Sequence, residues 1–287
     1  MKDFLNELSR DIRKNKGAFA GLLLILFFIL LALFAPFLSP YQPDQVIDGA
    51  LRLPPGADYN GHYFLFGTDD IGRDLFTRIL FGARVSLMVG LSVVVLAASL
   101  GTFLGLMAGY FGGWTDRVIS RVMDFIMALP AVLFAIVIVA VLGPGLVNAV
   151  VAVSIVALPN FTRLIRAQVL AEKNKQYVQA ARLYGAGHFR ILFKEILPNC
   201  VAPLIVQGSL GFSDGVLNCA ALGFLGLGAQ APTPEWGTML SDARSFLESS
   251  PWMVNLPGIC ILLVVLSFNL LGDGLRDALD PRLKNRA

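Results

Sequence analysis

The stretch YVQAARLYGAGHFRILFKEILP, Tyr177 to Pro198, is a polar island between two long apolar segments, and the rest of the chain is read outward from it. Its first half places Tyr177, Ala181 and Tyr184 at helical i, i+4, i+7 spacing. Its second half repeats that spacing with Phe189, Leu192, Phe193 and Ile196. Gly185 and Gly187 stand between the halves. Lacking a Cβ, glycine can stop one short helix and let the next leave at an angle, and Pro198 is expected to punctuate the second. The reading is a helix, a sharp turn and a helix, with Arg182, Arg190 and Lys194 on the wet side.

The flanks say where such an island can lie. Hydrophobic residues make up 56% of the 287 and charged ones only 15%, the mean hydropathy is +0.69, and the apolar positions come in unbroken runs. That excludes a soluble domain and points to an all-α integral membrane protein. A spanning helix needs about 20 apolar residues. Six stretches approach that: Gly17 to Leu38, Leu87 to Tyr110, Phe125 to Leu142, Leu146 to Thr162, Pro198 to Leu222 and Trp252 to Gly272. Six spans put both termini on one side.

Lysine and arginine set the orientation because they resist translocation. The N-terminal segment, the turn at 111–124, the island with its flanks and the C-terminal tail together hold 18 of the 23. Arg52, Arg73, Arg78, Arg84 and Arg244 lie on the other side. The termini and the island are therefore expected in the cytoplasm, which accounts for the net charge of +3 without nucleic acid. The expected organisation is a cytoplasmic segment 1–16, a first span 17–38 and a periplasmic segment 39–84. A five-helix core 85–274 follows, holding the cytoplasmic hairpin 171–198 and a periplasmic segment 229–251, and 275–287 form a cytoplasmic tail. The first span has a basic flank, but its 22 residues exceed the h-region of a signal peptide and no small-x-small site follows, so it is expected to stay uncleaved.

Within the island, Gln179, Ala180 and Ala181, then Gly185, then Ile196, Leu197 and Pro198 resemble the EAA loop of ABC importer membrane subunits. The family's leading glutamate is Gln179 here. An amphipathic hairpin lying on the bilayer would share the periodicity; the order of the matching residues favours the EAA loop. A more specific match is FGTDDIGRDLFTRILFGARVSLMVG, Phe66 to Gly90, which resembles a signature of the C-type permease in the branch serving dipeptides, oligopeptides and nickel. Leu222 to Arg244, Ser267 to Ala287 and RKNKGAFAGL before the first span resemble the same permeases, dipeptide members most closely.

The resemblance implies a type I importer permease of the inner membrane, multi-pass and not itself catalytic. It implies a homologous second permease, two ATPases that bind ATP and Mg, and a periplasmic substrate-binding protein. Gln179, Ala180, Ala181, Gly185, Ala186 and Gly187 would meet the ATPase. Nickel, glutathione, longer, heme-like or antimicrobial peptides remain alternative cargoes, and a stand-alone secondary transporter is the alternative from another class.

Other positions are read from their chemistry. Gly101, Gly105 and Gly109, and likewise Gly208, Gly211 and Gly215, are spaced to let helix backbones approach closely. Asp214, deep in the fifth span, either lines a translocation path or hydrogen-bonds structurally. Arg121 with Asp124, and Arg73 with Asp74, are expected as surface pairs, with Asp69 or Asp70 as a helix cap. Trp236 and Trp252 suit the membrane interface. Cys200, Cys219 and Cys260 show no ligand spacing, and His62 and His188 fall on opposite sides, so no metal site is expected. There is no phosphate loop and no plausible catalytic set. Asn160-Phe161-Thr162 matches a glycosylation sequon by chance.

Overall fold

A computed structural model describes residues 15–279; most of the N-terminal segment and of the C-terminal tail lies outside them. Helix α1 (Lys16–Leu38) starts where the Asn15 side chain accepts from the Gly17 and Ala18 amides at 3.1 and 3.2 Å. Its 23 residues are apolar all round and reach about 35 Å, enough to cross a bilayer. One stripe, from Ala18 through Gly21, Ile25 and Phe28 to Ala32, is buried, while Leu23, Phe27 and Leu33 stay open on the other face.

The segment between the first two long helices is ordered around a two-stranded antiparallel hairpin, β1 (Ala57–Tyr59) and β2 (His62–Phe64). Its turn is Asn60-Gly61, both with positive φ (50° and 79°), the pair a tight twisted hairpin requires. Periodicity predicts no strand here; the Asn-Gly pair is the local signal for one.

Helix α2 (Leu75–Phe111) runs the end of the segment expected to be periplasmic and the second span together into one rod of 37 residues. At about 55 Å it must project beyond the bilayer. Asp74 caps it, accepting from Thr77 N at 2.8 Å, so Arg73 does not pair with Asp74 as expected. Arg73 binds Asp69 instead, at 2.5 Å, and Arg78 Nε lies 3.5 Å from the same carboxylate.

The expected third span, Phe125 to Leu142, is not one helix. Helices α3 (Gly113–Met127) and α4 (Ala131–Leu142) meet at 96°. Pro130 carries no amide hydrogen and stands extended at the break, with ψ of 130°. Helix α5 (Leu146–Glu172) follows, then α6 (Gln176–Leu183) and α7 (His188–Arg190). A π-helical turn, Ile191–Ile196, leads into α8 (Leu197–Phe224), and α9 (Trp236–Ala243) and α10 (Trp252–Leu279) complete the described chain.

Among the described residues, α1, α2, α5 and α10 are long and apolar enough to cross a membrane, and the bent α3–α4 pair makes five if it counts as one broken span. Helix α8 has the length, at 28 residues, but Asn199, Gln207, Ser213, Asp214 and Asn218 dilute its apolar character.

The helices pack around α2. Its Gly101, Gly105 and Gly109 lie against α5: a Cβ at these positions would come within 2.6 Å of Phe161 Cβ, 2.7 Å of Thr162 O and 2.7 Å of Val169 Cβ. Backbone meets backbone there because no side chain intervenes. On α8, a Cβ at Gly211 would sit 3.0 Å from the Phe161 ring and one at Gly215 3.1 Å from Val93 Cγ1, whereas Gly208 has room.

At the end of α2 near its N-terminus, Trp236 is fully buried rather than interfacial. Its ring lies over Gly82, where a Cβ would fall 2.8 Å from Cδ1, and its Nε1 donates to Ile79 O at 3.2 Å. Phe28 of α1 meets it edge-on, centroids 5.9 Å apart. Beside it, buried Glu235 caps α9 by accepting from Gly237 N and Thr238 N at 2.8 and 2.9 Å. The Phe66 to Gly90 signature is thus the stretch that seals this end. Thr68 ties two loops together by donating to Ala50 O and accepting from Leu53 N.

Candidate functional site: a hairpin and a polar cleft

The island folds as helix, turn and helix, but with a different inward face from the one its spacing suggests. In α6 the buried residue is Val178, not the Tyr177, Ala181 and Tyr184 stripe. Val178 joins Ile191, Leu192, Ile196 and Cys200 against Leu106 of α2 and Ile165 and Val169 of α5. Because the second half winds through a π turn, the residues it buries are not those at strict 3.6-residue spacing. Phe189 and Phe193 point out and stack on each other, centroids 6.1 Å apart.

Gly185 has φ of 77°. Its amide donates to Arg182 O at 2.9 Å and that of Ala186 to Ala181 O at 3.0 Å, the paired bonds of a left-handed helix stop. Gly187 has an ordinary φ of −70° and needs no such freedom. Gln179 is exposed and donates to Asn174 O at 3.0 Å, while Ala180, Ala181 and Ala186 are half-buried. Around the turn, Leu183 and Tyr184 are 89% and 92% exposed and Phe189 is 74% exposed. Side chains of that size, standing open together, mark a contact surface. Leu183 is not singled out by the sequence, since the periodicity of α6 is too short to show which face is left over.

Pro198 does not end the second helix. The Leu197 amide donates to Leu192 O, five residues back, and this wider turn takes up the proline so that α7, the π turn and α8 run on without a break. The hairpin is anchored at several points. Tyr110 at the end of α2 hydrogen-bonds His188 at 2.9 Å, and Lys173 donates to Gly109 O at 2.8 Å. Glu172 accepts from Lys175 and from Tyr177, whose hydroxyl also receives Asn199 of α8 at 3.2 Å. Burial and then the Glu172 carboxylate hold the Tyr177 phenol above its ordinary pKa. Helix α3 is tied to α5 by Asp116 with Arg166 and by Asp124 with Arg163, the latter at 2.6 Å. Asp124 therefore turns away from Arg121, its expected partner, because α5 lies alongside.

The second feature is a cleft of about 420 Å³ between α3, α5 and α8. Ile126, Met127, Val153 and Val156 supply apolar wall, and Asn160, Gln207, Asp214 and Asn218 supply polar groups. Gln207, Gly211, Asp214 and Asn218 fall at i, i+4, i+7 and i+11, one stripe of α8. That spacing is legible in the sequence, although the cost of a deep carboxylate singles out Asp214 alone. A neighbouring cleft of about 470 Å³ shares Gln207 and is lined by Gln168 and Arg276. Asn160, the sequon residue, lines the first of these clefts, and Thr162 is buried against α2. No group of three or more metal-ligating side chains occurs among the described residues.

Residues 101–285 match the family model of the binding-protein-dependent transport system inner membrane component. The chain belongs to that family. Residues 4–55 match the N-terminal transmembrane domain of oligopeptide transport permease C. The chain is 53% identical to the di/tripeptide transport system permease of Pseudomonas aeruginosa, covering 99% of this chain and 94% of the relative. It is 54% identical to the dipeptide permease of Escherichia coli K12, over 98% and 94%. A glutathione transport permease from Escherichia coli is 42% identical over 97% and 91%. The fold resembles a chain of an inward-facing MetNI methionine ABC transporter, with TM-score 0.57, covering 71% of this chain and 97% of that one at 18% identity.

Proposed function

We propose that this chain is the C-type permease subunit of an ATP-driven importer of dipeptides or short peptides. The observation that carries the substrate class is the near full-length likeness to dipeptide permeases of two organisms, at 53% and 54% identity against 42% for the glutathione permease. In this reading the chain crosses the bilayer six times, α3 with α4 forming one bent crossing and α8 another, with both termini cytoplasmic. A homologous permease completes the path, a periplasmic binding protein delivers the peptide, and two ATPases bind ATP and Mg and perform the hydrolysis.

The hairpin is the part the ATPase moves. Leu183, Tyr184 and Phe189 offer it an apolar knob, Ala180 and Ala181 let it approach, and Gly185 sets the angle. Because the second hairpin helix continues into α8, a push at the knob reaches the wall of the polar cleft without passing through a loop.

Co-purification of the tagged chain from its native membrane tests the assembly: a sister permease and two ATPases should accompany it. Gly185→Trp, which sets a bulky side chain on the left-handed backbone of an otherwise open turn, should insert normally yet lose the ATPases. Recovery of the wild-type chain alone, moving solute in liposomes without ATP, would overturn the reading.

A further inference from the structure

The cleft beside α8 has a chemistry of its own. Its lining residues include one carboxylate, Asp214, and no lysine, arginine or histidine. Asp214 is exposed. Among the described residues its carboxylate makes no hydrogen bond or ion pair; the Asn218 amide nearby donates to the main-chain carbonyl of Asp214 at 2.7 Å. A carboxylate in the middle of a spanning helix is costly unless water or a counter-charge meets it. The surrounding amides of Asn160, Gln207 and Asn218 are neutral, and each can both donate and accept.

We propose that Asp214, with Asn160, Gln207 and Asn218, forms a subsite in the translocation path that takes the protonated α-amino group of a peptide in passage. The proposal rests on the importer reading and deepens it by assigning a chemical group to a place. The volume lies in the range that encloses small ligands. The carboxylate supplies the charge complement to an ammonium, and the amides supply partners for the adjoining peptide bond. A single opposite charge on an otherwise apolar and amide wall also suits transit, since a site on a path must hold its ligand weakly enough to release it.

The test uses the whole complex, with sister permease and ATPases, in proteoliposomes given loaded binding protein and a radiolabelled dipeptide. Asp214→Asn should lower uptake on the order of tenfold, the worth of one charge-assisted contact, while ATP hydrolysis stimulated by loaded binding protein persists. Asp214→Glu should keep most of the uptake. In Asp214→Cys, an anionic ethylsulfonate thiosulfonate reagent should raise uptake and a cationic trimethylammonium reagent should not. The wild-type complex given the same reagents controls for Cys200, Cys219 and Cys260.

Wild-type uptake by Asp214→Asn, or equal effects of the two reagents, would overturn the subsite. Loss of the assembled complex in Asp214→Asn would assign the carboxylate a structural role and overturn it too. A wild-type complex that moves no peptide would instead sink the importer reading, so the two failures are told apart.

Discussion

The two ends of this molecule handle bulky and polar groups in opposite ways. At the Trp236 end, the tryptophan is buried with its indole nitrogen bonded, Asp69 is shared by two arginines, and Glu235 is sealed under two amides. At the hairpin end, Leu183, Tyr184 and Phe189 stand open on a hairpin whose own core is little more than Val178 and its neighbours. Enclosed, hydrogen-bonded groups resist local opening, whereas a knob held by a small core is easily displaced. The difference separates a part that holds its shape from a part that is free to move.

Four variants would break or sharpen that contrast. Trp236→Ala removes a ring packed between α1, α2 and α9, and should cost about 3–5 kcal/mol. Thermal unfolding of the purified chain followed by intrinsic fluorescence would show it, and a melting point like wild type would mean that the Trp236 end is not the stable one. Gly185→Ala forces a side chain into left-handed backbone, a cost of about 1–2 kcal/mol. It should loosen the hairpin alone, seen as faster amide exchange at 176–196 with exchange in α2 unchanged.

Glu235 comes next. Burial raises its pKa above the ordinary carboxylate value, outweighing the bonds from Gly237, Thr238 and Ser86 that lower it. A raised folded-state pKa means a stabilising contribution that is complete below about pH 4.3 and is lost as pH climbs through the folded value. Wild type should therefore lose more stability between pH 5 and pH 8 than Glu235→Gln does; parallel melting curves would contradict this.

Leu183→Ser with Tyr184→Ser should change stability least, within about 0.5 kcal/mol, since neither side chain is covered. The same pair should abolish ATPase co-purification. Intact co-purification would remove the knob from the contact.

Much of this contrast was legible in the chain and some of it was not. The long apolar runs announced a membrane protein, and Tyr177 to Pro198 announced a hairpin, because glycine placement and interrupted periodicity are local signals. The inward face of the hairpin was not readable. Eight residues of α6 give little more than two turns, and the π turn shifts the phase of the helix beyond it, so Val178 and Ile191 are buried where Tyr184 and Phe193 were expected. The break between α3 and α4 falls at Pro130, and a reading by hydrophobicity alone ran straight across it. The exposure of Trp236 was misjudged because aromatic residues near a membrane boundary serve equally as anchors and as wedges; only the facing Gly82 decides between them. Asp124 could not reveal Arg163 as its partner, since that pairing depends on how α3 lies along α5.

The π turn at Ile191–Ile196 has a mechanical meaning of its own. It works as a one-residue slip joint between a handle and a shaft. Were it to relax to ordinary helix, the shaft beyond it would turn by about 100° relative to the handle and shift by about 1.5 Å. The stripe running from Gln207 to Asn218 would then swing off its present wall like the cam of a lock, so the local winding of six residues decides which side chains of α8 face the cleft.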